Sequence, residues 1–265
     1  MSAVKSGEEK VQIHSTARVA EEASLAAGCT VGPGAEIGPE VELGRDCWIG
    51  PGATLAGSIS LGADNRVESN AILDAAAGSL PADIAAGSGN IFREYSLVRA
   101  GNSAGRSVQI GDDNFLMAYT VINPGVRIAS GVRIANASCL KAGVEIGSEA
   151  FVAGMVVVDS GVSVGELAML GGHSHLTADL PPFLLADGVP ARVRTLNAVG
   201  LRRDDVDRTA FSELKNIFRS CFRSPDRPDC RLEDLQKESR ESGRAQQLIE
   251  FMAGSDDICP GSGEE

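Results

Sequence analysis

The sequence is poor in aromatic residues and in histidine. Aromatic side chains make up 4% of the 265 residues, whereas glycine occurs 31 times, a composition expected if the core consists of layered aliphatic side chains. The chain has only three histidines, His14, His173 and His175. Few imidazoles are therefore available for acid–base chemistry or metal binding.

Basic residues are outnumbered as well, with 24 Lys and Arg against 36 Asp and Glu and a net charge of −12. This surplus of negative charge argues against general binding to nucleic acids or anionic membranes. No apolar run approaches the ~18 residues of a membrane helix, and the polar N-terminus lacks the apolar core of a signal peptide. We therefore expect a soluble protein of the cytoplasm that has no membrane span.

One stretch of the sequence has a strict six-residue period. Neither the 3.6-residue period of an amphipathic helix nor the two-residue period of a strand fits this spacing. A hexapeptide period is typical of a β-helix, in which three units complete one coil. The aliphatic positions of the stretch, each predicted to point inward, are Ile110, Leu116, Ile122, Ile128, Ile134, Leu140, Ile146, Val152, Val158, Val164, Leu170 and Leu176.

The same period begins earlier and is interrupted twice. Residues 74–90 and 99–107 are predicted to be external loops, with Ile91 and Leu97 as inward positions between them, and the second loop is predicted to shift the phase by one residue. Cys29 and Cys47 are one coil apart and should stack as buried thiols; the spacing of all six cysteines indicates reduced thiols. The earlier inward positions are Ile13, Val19, Leu25, Val31, Ile37, Leu43, Ile49, Leu55, Leu61, Val67 and Leu73.

The pattern changes after residue 178. Pro181 and Pro182 cannot donate to a further ladder, so they end the repeats, and residues 187–190 read as a turn. From Asp204 apolar residues recur at helical spacing, and residues 231–252 are a second helical stretch. The predicted organisation is a disordered N-terminus (1–10), a β-helix (11–183), a C-terminal helical domain (184–252) and a disordered tail (253–265).

Several short motifs, over roughly residues 11 to 224, resemble the UDP-N-acetylglucosamine O-acyltransferase family of lipid A biosynthesis. Hexapeptide repeats alone specify only a superfamily, and the last motif narrows the resemblance to one branch. The motifs are Ile13-His14-Ser15-Thr16-Ala17, Arg93-Glu94, Asp113-Asn114-Phe115-Leu116-Met117, Asp179-Leu180-Pro181-Pro182-Phe183 and Asn197-Ala198-Val199-Gly200-Leu201-Arg202-Arg203.

The resemblance implies an all-β, left-handed parallel β-helix with an α-helical C-terminal domain, assembled as a homotrimer with sites between subunits. It implies transfer of a 3-hydroxyacyl chain from acyl carrier protein to a sugar hydroxyl of UDP-N-acetylglucosamine, without a cofactor. In that family a neutral histidine accepts the hydroxyl proton, an adjacent aspartate orients it, and a backbone N–H stabilises the oxyanion.

At the position of that histidine–aspartate pair this chain has Pro124 and Gly125. General-base catalysis contributes about 10²–10⁴-fold, so the sequence predicts a non-catalytic or repurposed trimer that retains part of the ligand cleft. One alternative is an active acyltransferase with a displaced group, His173, His175 or Asp159. Another is a purely structural trimer.

The resemblance also implies substrate contacts at Asn197, Arg203, Gly143 and Gly172. Arginine suits a phosphate because its planar fork donates two parallel hydrogen bonds. In the alternative interpretation Asn197 caps a helix and Arg203 pairs with Asp204 or Asp205.

Two further groups of residues have competing interpretations. Arg208, Lys215, Arg219 and Arg223 form a basic stripe that either docks an acidic acyl carrier protein or is a solvated helix face. His173 and His175 either form surface hydrogen bonds or bind a metal across a subunit interface. Two ligands are a weak signal, so no metal site is predicted.

Overall fold

The computed structural model describes residues 10–75, 83–101, 106–223 and 243–262. The chain divides into two compact units, Met1–Val126 and Arg127–Glu265. Parallel strands in each unit pair coil upon coil, so that a residue meets its counterpart in the next coil, as in Ile13 opposite Val31. The six-residue period therefore produces the predicted β-solenoid in each unit.

In the first unit the strands form three parallel sheets. The first sheet contains β1 (Gln12–Ile13), β4 (Thr30–Val31), β7 (Trp48–Ile49), β10 (Arg66–Val67), β13 (Ile91–Phe92) and β16 (Phe115–Leu116). The second contains β2 (Arg18–Val19), β5 (Glu36–Ile37), β8 (Thr54–Ala56), β11 (Ile72–Asp74), β14 (Leu97–Arg99) and β17 (Val121–Ile122). The third contains β3 (Ser24–Leu25), β6 (Val41–Leu43), β9 (Ile59–Leu61), β12 (Ile84–Ala86) and β15 (Val108–Ile110).

The second unit repeats this arrangement and adds helices. Its first sheet contains β19 (Arg133–Ile134), β22 (Phe151–Val152), β25 (Met169–Leu170), β27 (Leu184–Gly188) and β28 (Ala191–Leu196), the last two pairing as an antiparallel hairpin. The second contains β20 (Cys139–Leu140), β23 (Val157–Val158) and β26 (His175–Leu176), and the third β18 (Arg127–Ile128), β21 (Glu145–Ile146) and β24 (Ser163–Val164). The helices are α1 (Ala198–Arg203), α2 (Arg208–Phe222) and α3 (Gly243–Gly254).

The predicted inward positions are confirmed from Val31 to Leu73 and from Ile110 to Leu176, because each of these side chains is buried. Successive side chains of a strand point to opposite faces, so one residue of each short strand faces the core and its neighbour faces outward. The three positions of the first coil are exceptions: Ile13 has an exposed fraction of 50%, and Val19 and Leu25 are only half-buried. They lie at the end of the stack in their unit, where only one neighbouring coil covers them.

The predicted phase between the two loops is wrong. Ile91 and Leu97 are only half-buried and face outward, whereas Phe92 and Val98 are fully buried. Phe92 pairs with Val67, 25 residues earlier, across the first interruption. Across the second interruption, the corresponding contact joins Asn90 to Asn114, which are 24 residues apart. Because 24 is a multiple of six, the one-residue shift belongs to the first interruption and not to the second.

The predicted loop 74–90 is also too long. Asp74 ends β11, and Ile84–Ala86 forms β12, which pairs with β9 and β15. The small Ala, Gly and Ser residues that suggested a loop also suit the strands and corners of a coil. Of the two predicted loops, residues 76–82 and 102–105 lie outside the described residues.

Cys29 and Cys47 are buried free thiols in adjacent coils, as predicted. Burial raises the pKa of both thiols, that of Cys47 to about 11. The prediction that all six cysteines are reduced is wrong, because Cys221 is disulfide-bonded.

The C-terminal predictions hold in part, because residues 184–196 of the predicted helical domain form the β27–β28 hairpin of the first sheet and not helices. The turn at 187–190 joins β27 to β28, and α2 buries Leu214, Ile217 and Phe218 on one face. The second helix, predicted over 231–252, is described from Gly243 to Gly254, and residues 224–242 lie outside the described residues, as do 1–9.

The prediction of a disordered tail from residue 253 is wrong as far as residue 262. The Cys259 N–H donates to the Asp179 carbonyl (2.8 Å), and the Val193 N–H donates to the Pro260 carbonyl (2.8 Å). These backbone hydrogen bonds order a segment whose Gly- and acid-rich composition suggested disorder. Residues 263–265 lie outside the described residues.

Candidate functional site

Residues 124–125 form a tight turn without a proton acceptor on a side chain. The Gly125 backbone is left-handed (φ +80°), and its N–H donates to the Arg106 carbonyl at 3.2 Å. The Gly101 N–H donates to the same carbonyl at 3.1 Å. The Gly125 N–H is therefore satisfied by a backbone carbonyl.

The one histidine of the first unit lies in its first coil. The His14 ring accepts at Nδ1 from the Thr16 N–H (3.2 Å) and lies 2.9 Å from the Thr16 hydroxyl. This local hydrogen bonding agrees with a structural role for the imidazole.

In the second unit three polar side chains meet on the outward face of the sheet formed by β20, β23 and β26. Lys141 and Asp159 directly follow β20 and β23, and His175 lies in β26. Asp159 Oδ1 accepts from Lys141 Nζ at 2.6 Å and lies 3.0 Å from His175 Nε2. The side chains are 46%, 31% and 36% exposed, so solvent reaches all three. We call these residues the Lys141–Asp159–His175 cluster.

Asp159 is held in its anionic form. The hydrogen bond from His175, followed by that from Lys141, lowers the pKa of the Asp159 carboxyl below its usual value. Because a carboxylate only accepts hydrogen bonds, His175 Nε2 must carry the proton that lies between the two groups. The other ring nitrogen, Nδ1, has no hydrogen-bond partner in the described part of the chain.

The structure brings together two of the three displaced candidates, His175 and Asp159, but not His173. His173 is exposed and sits in a left-handed corner (φ +59°), where its backbone N–H donates to Gly154. Across residues 10–75, 83–101, 106–223 and 243–262, no group of three or more His, Cys, Asp or Glu side chains could hold a metal ion.

A cavity of about 560 Å³ lies elsewhere in the same unit, between the first sheet and α1. Arg133, Phe151 and Met169 face it from β19, β22 and β25, and Arg203 faces it from α1. Neither arginine forms an ion pair with a described residue. Gly131, Arg133, Glu149, Ala150, Phe151, Leu167, Met169, Asn197, Val199, Gly200, Arg203 and Asp204 line the cavity.

The two predicted nucleotide-sugar residues differ in their surroundings. Asn197 caps α1: its Oδ1 accepts from the Gly200 N–H (3.0 Å), and its Nδ2 donates to the Leu167 carbonyl (2.7 Å). With an exposed fraction of 6%, it fits the capping interpretation. Arg203 lines the cavity, and Asp204, its suggested partner, is instead bound by Arg244.

The predicted glycine contacts lie in corners of the coils. Gly143, just after β20, has φ +71°, and a Cβ atom there would find nothing nearer than 3.9 Å. Gly172 is exposed and precedes β26 by three residues. Both positions are open, and their substrate contacts stay predictions.

The basic stripe lies on the outer face of α2. Arg208, Lys215, Arg219 and Arg223 are exposed, and none forms an ion pair with a described residue. The Arg223 guanidinium lies 5.9 Å from the centre of the Phe218 ring. The stripe therefore presents positive charge that no described carboxylate pairs with, on a chain that is acidic overall.

Lys141 and Arg133 were missed from the sequence. The separation of 18 residues between Lys141 and Asp159 is one coil, so the register could have indicated their contact. Arg133 faces outward from β19, and the repeat pattern gives no sign of what covers it.

No described helix is both long and apolar enough to cross a membrane.

Comparison with known proteins places these features in context. Residues 179–259 match the family described as UDP-N-acetylglucosamine O-acyltransferase, domain 2, and residues 107–142 match the bacterial transferase hexapeptide family of six repeats. The acyl-[acyl-carrier-protein]–UDP-N-acetylglucosamine O-acyltransferase of a Sulfurovum species is 40% identical over 220 residues, 79% of this chain and 83% of that protein.

A relative from Gloeothece citriformis with the same name is 34% identical, and the match spans 60% of the length of each protein. The solved UDP-N-acetylglucosamine acyltransferase of Campylobacter jejuni has a TM-score of 0.86 at 28% identity, covering 94% of this chain and 99% of that one. The predicted fold class, a left-handed β-helix with C-terminal helices, is confirmed.

Proposed function

Because the chain belongs to the UDP-N-acetylglucosamine O-acyltransferase family, we propose that it is a repurposed, trimeric member that binds a UDP-sugar. In this proposal residues 124–125 carry out no proton transfer. The relatives are named for acyl carrier protein and UDP-N-acetylglucosamine, and we propose the same two partners here, in the cytoplasm.

The observation that carries the proposal is the cavity beside Arg133 and Arg203. A diphosphate carries negative charge, and two guanidinium groups that pair with no described carboxylate can each offer it paired hydrogen bonds. Arg244 binds Asp204, which reduces the repulsion that this carboxylate would exert on a phosphate. Phe151 and Met169 add apolar surface for the flat parts of the ligand.

The second element of the proposal, the loss of the base at 124–125, follows from the chemistry of the residues there. Proline has no titratable group and no N–H, and the glycine N–H already donates to the Arg106 carbonyl. Removing a general base costs about 10²–10⁴-fold in rate. Catalysis at this turn would therefore lack its largest proton-transfer contribution.

The basic stripe on α2 is the proposed docking face for acyl carrier protein. Four exposed cations that form no ion pair within the described ranges suit an acidic partner, and such attraction mainly raises the association rate. A second candidate function, acyl transfer with a displaced group, is favoured by the contact between His175 and Asp159.

Titration with UDP-N-acetylglucosamine tests the proposal, with acyl carrier protein in a parallel titration. We expect saturable binding that Arg203→Gln weakens about 10–100-fold, since a hydrogen bond to a charged group contributes about 1.5–3 kcal/mol. Arg127→Gln is the matched control, because Arg127 pairs with Glu145 on another sheet. If neither UDP-N-acetylglucosamine nor acyl carrier protein binds, the proposal is wrong and the purely structural trimer is the remaining alternative.

A further inference from the structure

We propose that the Lys141–Asp159–His175 cluster is a proton-transfer centre for acyl transfer from a thioester to a hydroxyl. The inference rests on the proposed function, because the thioester and the UDP-sugar hydroxyl are its substrates. His175 is the catalytic residue, and Asp159 and Lys141 are positioning residues. The cluster would thus supply a base at a shifted site of its own, separate from residues 124–125.

The protonation state of the cluster fits this role. Anionic Asp159 accepts from His175 Nε2, so in neutral imidazole the lone pair is on Nδ1. The same contact restricts ring rotation, as an orienting carboxylate does for a general base. The exposed His175 ring therefore has a proton acceptor, Nδ1, that no described residue occupies.

The cluster differs from other charge pairs that connect adjacent coils. Arg18 with Glu36 and Arg127 with Glu145 are also 18 residues apart, but an arginine stays protonated and leaves no proton acceptor beside its partner. Lys141 with Asp159 has the same spacing, yet its carboxylate oxygen is shared with an imidazole. This sharing gives the third pair an imidazole, whose second ring nitrogen can accept a proton when the ring is neutral.

Lys141 has a separate positioning role. Its ammonium group lies on the same carboxylate oxygen as the imidazole, and together the two hydrogen bonds lower the pKa of Asp159. The carboxylate therefore stays anionic while His175 gains and loses a proton. Loss of Lys141 should lower the rate less than loss of His175, because it removes support and not the base itself.

The proposed step conserves atoms and charge. His175 Nδ1 takes the hydroxyl proton while the hydroxyl oxygen attacks the thioester carbonyl carbon. The new C–O ester bond forms, the C–S bond breaks, and the proton passes from the imidazole to the departing thiolate. The products are an O-acyl sugar and a free thiol, and no oxidant or reductant is needed.

The test uses the full chain, a 3-hydroxyacyl-acyl carrier protein and UDP-N-acetylglucosamine, with the acylated sugar measured by mass spectrometry. We expect His175→Ala to reduce transfer about 10²–10⁴-fold and added imidazole to restore part of it. Asp159→Asn should lower kcat and alter its pH profile while leaving UDP-sugar binding intact. His173→Ala, an exposed histidine outside the cluster, is the matched control and should keep the parent rate.

Two results would overturn the inference: no transfer by the parent protein, or undiminished transfer by His175→Ala. UDP-sugar binding measured on the same samples reports separately on the proposed function. Binding without transfer would identify a non-catalytic UDP-sugar-binding protein. Failure of both would refute the inference and the proposed function together.

Discussion

The turn at residues 124–125 in the first unit and the Lys141–Asp159–His175 cluster in the second unit both lie at short solenoid strands, but only the cluster has side chains that can exchange protons. At the turn, the Gly125 N–H is hydrogen-bonded to backbone and neither side chain ionises. In the cluster, a carboxylate orients an imidazole that keeps one ring nitrogen without a described partner. The repeat fixes the backbone, so the outward residues can change their chemistry while the core stays the same.

The largest expected contrast is catalytic. Pro124→Ala should leave acyl transfer within about twofold of the parent, whereas His175→Ala should lower it about 10²–10⁴-fold. The physical reason is that proline has no proton to exchange. Rates for both variants, measured under saturating substrates, check the contrast, and a large loss for Pro124→Ala would place the chemistry at the turn instead.

The cores under the two regions should respond alike. Ile122, just before the turn, and Leu176, just after His175, are both fully buried. Replacing either by alanine removes buried methyl groups and leaves a cavity, at a cost of about 2–5 kcal/mol in the free energy of unfolding.

Denaturant unfolding of the two core variants measures this cost. Val121→Ala, on a half-buried outward position of β17, is a control that should cost less. A cost near zero for either core variant would contradict the packing of its coil.

The smallest contrast concerns pH. The folded pKa of Asp159 is depressed, so its contribution to stability is complete above the unfolded pKa of about 3.9 and is lost as the pH falls through the folded pKa. Asp159→Asn should flatten the fall of Tm in this acid range. Pro124→Ala should not, because position 124 does not titrate, and equal acid sensitivity in all three proteins would contradict the assignment.

Much of the fold could be predicted because the relevant pattern is local. An aliphatic residue at every sixth position specifies which side of each short strand is buried, and twelve such positions from Ile110 to Leu176 proved buried. The phase between the loops could not be fixed this way. Ile91 and Phe92 are both apolar, and only the pairing of Phe92 with Val67 shows which one faces the core.

The site could be predicted only in parts. The sequence identified His175 and Asp159 as candidates, but their contact spans 16 residues and depends on how adjacent coils align. The same limit applies to Arg203. Asp204 forms its ion pair with Arg244 and not with Arg203, and Arg244 lies 40 residues further along the chain. Neither arrangement has a short-range signal.

The sequence by itself therefore determined the solenoid, the coil length and the absence of a base at residues 124–125. These features depend on residue type and regular spacing. Only the tertiary structure decided the coil register, the ordering of the tail against Asp179 and Val193, and the meeting of Lys141, Asp159 and His175. These depend on which distant residues are brought together, and hydrogen bonds act only over about 3 Å.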